Sequence, residues 1–244
     1  SSAFDTRSSS DSERMTLDGA VNKTAIMLAI LISTAAISWN FPSPFIVMLS
    51  YIGIFAAAIA SVVTFGFWMP FIGFIINPRP YLAPKTWLIF AVGEGFFIGL
   101  ISLSFETMFP GIVLEAVSLT FCVAATLLFL YKSGIVKPSQ NFVLMVCSAV
   151  FGIFLFYIGT FIYSLVTGVS PEIFSGSSNA SIGLSLFIVA MAAFSLVLDF
   201  DIIEQSAEYG SPKYMEYFGA MALVTTLIWL YIEILRLLAK FRSR

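Results

Sequence analysis

The chain has 244 residues, 59% of them apolar and 11% charged, where a soluble domain runs at roughly 45–50% and about 25%. That balance excludes a soluble monomer and a disordered chain alike. With 12 Lys and Arg against 14 Asp and Glu there is no basic surface for nucleic acid. The absence of histidine removes Ser-His-Asp and Cys-His catalysis together with imidazole metal ligation. The composition is that of an all-α integral membrane protein.

The first 20 residues, Ser-rich and charged over most of their length, read as a disordered tail. A membrane domain over 21–240 is expected to follow. No cleavable leader pattern is read, because a polar N-terminus runs straight into a full-length apolar segment. A helix needs about 20 apolar residues to cross the bilayer. Seven runs qualify, at about 22–40, 45–69, 86–105, 111–131, 141–166, 180–203 and 215–238. The second continues to Ile76, with Pro70 as its natural kink or exit. Pro42 and Pro44, Pro78 and Pro80, Pro110-Gly111, Gly134 to Pro138, Gly168 to Asn179 and Gly210-Ser211-Pro212 mark the joints.

Orientation follows from Lys and Arg. Arg7, Arg14, Lys23, Arg79, Lys85, Lys132, Lys137 and Lys213 all lie on the side of the N-terminus, and the three loops of the other side carry none. A cytoplasmic N-terminus is therefore expected. Seven crossings then place Lys240, Arg242 and Arg244 outside, against the rule. Tyr217–Leu238 is long and unbroken enough for a full crossing all the same.

Ionisable groups at the bilayer centre cost at least about 2.5–3.5 kcal/mol each and are functional candidates by default. Glu94, Glu115, Asp199, Asp201, Glu233 and Arg236 need weighing. An acid-rich interior suits protons or cations. Glu94, between Gly93 and Gly95, lies roughly 12 Å into its helix. It is a pore or proton-relay candidate, expected to be shielded from lipid and neutral. Glu115 is close enough to its helix start to be interfacial. Asp199 and Asp201 are about 200° apart on a helical wheel and cannot share a face. Ser195, Asp199 and Ser206 form an inward seam, and Asp201, Glu204 and Glu208 a face that looks solvated. In the last span Thr226, Glu233 and Arg236 share a stripe, with Glu233–Arg236 a candidate ion pair. A last helix carrying such a stripe should face protein and occupy the centre of the bundle. Cys122 and Cys147 read as a packed, reduced pair.

The segment Leu198-Asp199-Phe200-Asp201-Ile202-Ile203-Glu204, followed by Ala207-Glu208-Tyr209-Gly210 and Tyr214, resembles the end of the sixth helix and the next loop in the Bax inhibitor-1/YccA family. Leu235-Arg236-Leu237-Leu238 near the close fits the same family. Val21-Asn22-Lys23-Thr24, Glu94-Gly95 and Phe109-Pro110-Gly111-Ile112-Val113 look like its prokaryotic branch. The resemblance spans about 15 to 240. It implies a seventh helix wrapped by six others and a pH-sensitive calcium leak, gated where a sixth-helix aspartate meets a seventh-helix one. Asp199 matches the first. The second falls between Leu223 and Thr226, where this chain has no acid, and no base stands in the second span where related channels place an arginine.

The leading expectation is a pH-sensitive cation leak in a prokaryotic plasma membrane. Asp199, Thr226 and Thr225 would form its sensor and gate, and Glu94, Asp201 and Glu233 are further pore candidates. Calcium wants six to eight oxygen ligands, so Asp199 with two threonines and backbone carbonyls offers a weak transit site. No resident cofactor is expected beyond transient calcium. The alternative is an interaction protein regulating a membrane protease or other complex, a role the resemblance also implies. An enzyme is not expected, since rhomboid and site-2 chemistries need histidine and the Gly-x-Gly-Asp signature is absent.

Overall fold

The computed structural model describes residues 14–65, 79–169 and 171–244. The expected tail over 1–13 and the kink at Pro70 lie outside them. Among the described residues seven helices are long and apolar enough to cross a membrane: α1 (Leu17–Asn40), α2 (Pro44–Phe65), α3 (Ala83–Met108), α4 (Ile112–Lys132), α5 (Gln140–Thr167), α6 (Asn179–Glu208) and α7 (Tyr214–Arg242). A 3-10 turn, Pro80–Leu82, leads into α3, and one helical turn, Glu172–Ser175, precedes α6. Among the described residues there is no strand, only an isolated antiparallel bridge between Arg14 and Pro212.

The helix ends follow from local chemistry. α1 begins at Leu17, ahead of its apolar run, because the Thr16 hydroxyl accepts from the Gly19 amide at 3.0 Å. Asp18 in the first turn complements the helix dipole. The expected disordered tail through residue 20 is therefore corrected. Met15 and Ala20 are buried and pack with Ile203, so order extends back at least to them. α6 runs past 203 to Glu208 and stops at Gly210, whose φ is 63°. The Ser211 amide donates to Ser206 O and the Gly210 amide to Ala207 O, at 3.0 and 3.1 Å, a pairing that needs the left-handed residue. α7 continues to Arg242, and Lys240 and Arg242 in its last turn suit the negative dipole end.

The described chain divides into two compact units, one formed by the residues up to Ser104 with Asp201–Val224, the other by Phe105–Phe200 with Thr225–Arg244. In the first, α3 packs through glycine. Gly93 lies against Gly53 of α2, Gly95 against Leu31 and Thr34 of α1, and Gly99 against Ala35 and Ser38. Small residues let backbones approach closely where lipid offers no hydrophobic drive for association. The Ser50 hydroxyl donates to Phe96 O of α3 at 3.2 Å, and Thr64 and Thr86 share a hydrogen bond of 2.7 Å. Trp87 meets Tyr217 and Phe65 meets Phe218 edge-on or tilted.

In the second unit Ile153, Ile188 and Met191 form a core that Phe194 and Trp229 extend. α4 buries only Ile112, Ala116 and Thr120, a stripe one residue wide. Cys122 is about 200° round from Thr120, and both cysteines are exposed and free. The expectation of a packed pair is corrected. Half of the most apolar stretch of α6 and of α7 is buried, against 17–39% in the other five helices. The last helix is thus among the two that face protein most.

Candidate functional site

The polar centres are built from α5, α6 and α7. Asp199 lies nine residues before the end of α6, roughly 13 Å along the axis. That is deeper than a helix ending at 203 would place it. Its carboxyl is hydrogen-bonded by the Thr226 side chain of α7. Its Oδ2 is buried with no hydrogen-bond partner among the described residues. Leu196 and Val197, just before it in α6, are buried apolar residues, as is Leu230, one turn beyond Thr226 in α7. Ser195, one turn back, is buried too, but its hydroxyl is spent on Met191 O at 3.0 Å. A carboxyl oxygen without a donor in such surroundings is tolerable when the acid is neutral and costly when it is ionised. Thr225, the other expected partner, is exposed, since one residue is a 100° turn of the helix. Thr226 is the α7 side chain that meets the Asp199 carboxyl.

A second centre lies further along α7. Glu233 is buried and pairs with Arg236 at 3.1 Å. Tyr157 of α5, which hydropathy does not single out, donates its hydroxyl to Glu233 Oε1 at 2.6 Å. Lys240, unweighed among the intramembrane charges, is buried and donates to Ser185 Oγ at 2.8 Å and to Ser181 O at 3.3 Å. At the end of α7 Arg242 reaches Glu115 at 2.6 Å and Pro110 O at 2.7 Å, so Glu115 serves as an end clamp. Arg244 meets Asn179.

The remaining candidates belong to the first unit. Asp201 is half-buried and accepts from Gln205 Nε2, one turn along the same helix, at 2.6 Å. Glu94 is half-buried. It lies in the middle of an arc of α3 that buries Phe90, Ala91, Gly93, Gly95 and Ile98. Glu94→Gln is expected to preserve yield and unfolding midpoint within about 0.5 kcal/mol, the range of a change that breaks no partnered charge. A collapse measured by thermal unfolding in detergent would mean that the ionised acid is held by a partner. Sequence reading also passed over Glu216. It is buried at the start of α7 and accepts from the Thr16 amide and hydroxyl at 3.1 and 3.2 Å, with Lys23 Nζ at 3.6 Å. Its place in a first helical turn makes it look interfacial, and only the burial separates it from Glu115. Among the described residues no group of three or more Asp, Glu or Cys side chains is gathered to hold a metal ion.

Seven spanning helices among the described residues, with carboxyl groups buried or half-buried inside them, define an integral membrane protein with polar centres between its helices. Residues 1–243 match the family described as Bax inhibitor 1 like, and the chain belongs to that family. No curated protein and no solved structure matches it significantly.

Proposed function

We propose that the protein is a pH-sensitive cation leak of the prokaryotic plasma membrane, calcium being the ion that the hard oxygen donors favour, with its N-terminus on the cytoplasmic side. The observation that carries this reading is the buried, unpartnered Oδ2 of Asp199 beside Thr226. Protonated, the acid sits in its apolar surroundings at little cost and its hydrogen bond to Thr226 ties α6 to α7. Ionised, it keeps the Thr226 hydroxyl as a donor but leaves a buried charge on Oδ2 for water or a cation to satisfy. The sign is closed in acid and leaky as pH rises. One carboxylate with a hydroxyl cannot complete the six to eight oxygens of a tight calcium site, which suits transit rather than storage. With a threonine where a second acid would stand, the titration follows about one proton, without cooperativity.

The test is calcium flux into proteoliposomes across pH. Asp199→Asn, which keeps a polar partner for Thr226 and cannot ionise, is expected to give low flux independent of pH. Asp199→Ala is expected to give high flux with weak pH dependence. A steep pH profile that survives in Asp199→Asn would move the sensor elsewhere. Wild-type protein silent at every pH would favour the regulator of a membrane complex.

A further inference from the structure

The Glu233 centre holds its charge in an asymmetric way. The Glu233 side chain is 3% exposed and that of Arg236 is 35% exposed. The acid is fixed, and the base sits at the edge. Tyr157 Oη is 2.6 Å from Glu233 Oε1 and donates to it. Arg236 Nη1 lies 3.1 Å from that same Oε1 and 3.3 Å from Tyr157 Oη. One guanidinium nitrogen is therefore shared between a carboxylate oxygen and a phenol oxygen, in the position a cation bound to both would take. The guanidinium also lies over the Tyr157 ring, 5.7 Å from its centroid, a further cation-seeking surface.

The other base nearby has different partners. Lys240, one turn beyond Arg236 on α7, is tied to Ser185 and Ser181 of α6. Arg236 differs in having a route out. It stands six residues before the end of α7, about 9 Å along the axis, within reach of a long side chain that extends toward the membrane surface. Thr226 and Glu233 are seven residues apart, within about 20° on the helix wheel and roughly 10 Å along it. An ion leaving the level of Asp199 along that stripe meets Glu233 next.

We infer that Glu233 and Tyr157 form a second cation site in which Arg236 is a tethered, displaceable occupant. A hard divalent cation enters as the guanidinium swings out, taking the place of Nη1 between the two oxygens, with water completing its shell. This rests on the cation-leak reading for its physiological sense, but the site itself has a separate readout.

The experiment uses the full-length purified chain and terbium, a calcium-sized trivalent probe whose luminescence is sensitised by a neighbouring tyrosine. Arg236→Gln is expected to bind terbium about tenfold more tightly than wild type, the gain from removing an occupant that fills the site about nine-tenths of the time. Calcium should compete for the new emission. Adding Tyr157→Phe should remove most of the sensitised gain, and adding Glu233→Gln should abolish the tighter binding. Should Arg236→Gln fail to fold, Arg236→Lys provides the same test. Its shorter side chain and rotating ammonium hold less firmly to the two oxygens than the planar guanidinium does, and intermediate affinity is expected. Terbium affinity equal to wild type in both single variants would overturn the inference. In proteoliposomes, Arg236→Gln should raise calcium flux up to about tenfold on the same occupancy argument. Unchanged flux in a leaking protein would overturn the part of this site in ion transit while leaving the leak. Tighter terbium binding in a protein that never leaks would establish the site and overturn the leak reading.

Discussion

Glu216→Ala is expected to lower the stability of the folded state by about 3 kcal/mol, at the low end of the cost of breaking a buried ion pair. The carboxylate is 2% exposed and joins three groups: the Thr16 amide, the Thr16 hydroxyl and the Lys23 ammonium. Its fit is close enough that a Cβ on Gly19 would overlap it. Lys23 also lies over the Tyr217 ring at 5.0 Å, and the Met15 amide donates to Ser211 O at 2.7 Å. Thr16 is at once the cap of α1 and a donor to the start of α7. Removing the acid strips Thr16 of its acceptor and leaves a void, whereas Lys23, 18% exposed, turns partly to water, which limits the loss. Glu216→Gln retains the shape and is expected to cost about 1–2 kcal/mol. Unfolding titrations in a mild detergent measure both. Exchange of the Met15 amide should accelerate in the alanine variant, and stability within about 0.5 kcal/mol of wild type would contradict the assignment.

Gly93→Val should cost a similar amount by a different route. A Cβ at Gly93 would run into the carbonyl group of Gly53, with Ala57 Cβ at 3.2 Å. The obstacle is backbone, so no side chain can rotate away, and α2 must move from α3. Overpacking of this kind costs about 1–3 kcal/mol, and valine, branched at Cβ, belongs at the top of that range. Gly53→Ala meets Gly93 Cα at 3.0 Å and should be milder, near 1 kcal/mol. Gly152→Ala is the control. Nothing lies within 4 Å of its Cβ position, and alanine is a better helix former by about 0.5–1 kcal/mol. A Gly93→Val protein as stable as Gly152→Ala would mean that α2 and α3 are not held by this contact.

The helices were legible because spanning hydrocarbon demands about 20 apolar residues in a row, and that demand is written in composition. Their ends were less so. Thr16 and Gly210 act through a cap and a left-handed turn, local chemistry that hydropathy does not register, and α1, α6 and α7 all outrun their apolar cores. In the site, Asp199 and Thr226 were readable from helical phase, as were Glu233 and Arg236 at i and i+3. Thr225 fell on the wrong side of the same phase. Tyr157 was invisible because a tyrosine in an apolar run carries no charge to mark it, and its role depends on a hydroxyl meeting a residue 76 positions away. Glu216 and Lys240 were hidden by their nearness to helix ends, where a charge ordinarily meets water. Cys122 and Cys147 failed in the opposite sense. Being apolar in a membrane protein says nothing about facing inward, since lipid welcomes the same side chains that a core does.

The unequal lengths of the helices carry a consequence of their own. α4 has 21 residues, so it is roughly 32 Å long and just matches a hydrocarbon layer of about 30 Å. α5, α6 and α7 have 28, 30 and 29, or about 42–45 Å, and must tilt or protrude. Thickening the bilayer therefore strains α4 before α5, α6 and α7, while thinning it is absorbed by tilt of the long ones at fractions of a kcal/mol per Å. The polar centres reside on long helices, Asp199 on α6 and Glu233 on α7. The length of the surrounding acyl chains thus becomes a mechanical input to the same helices that carry the charges.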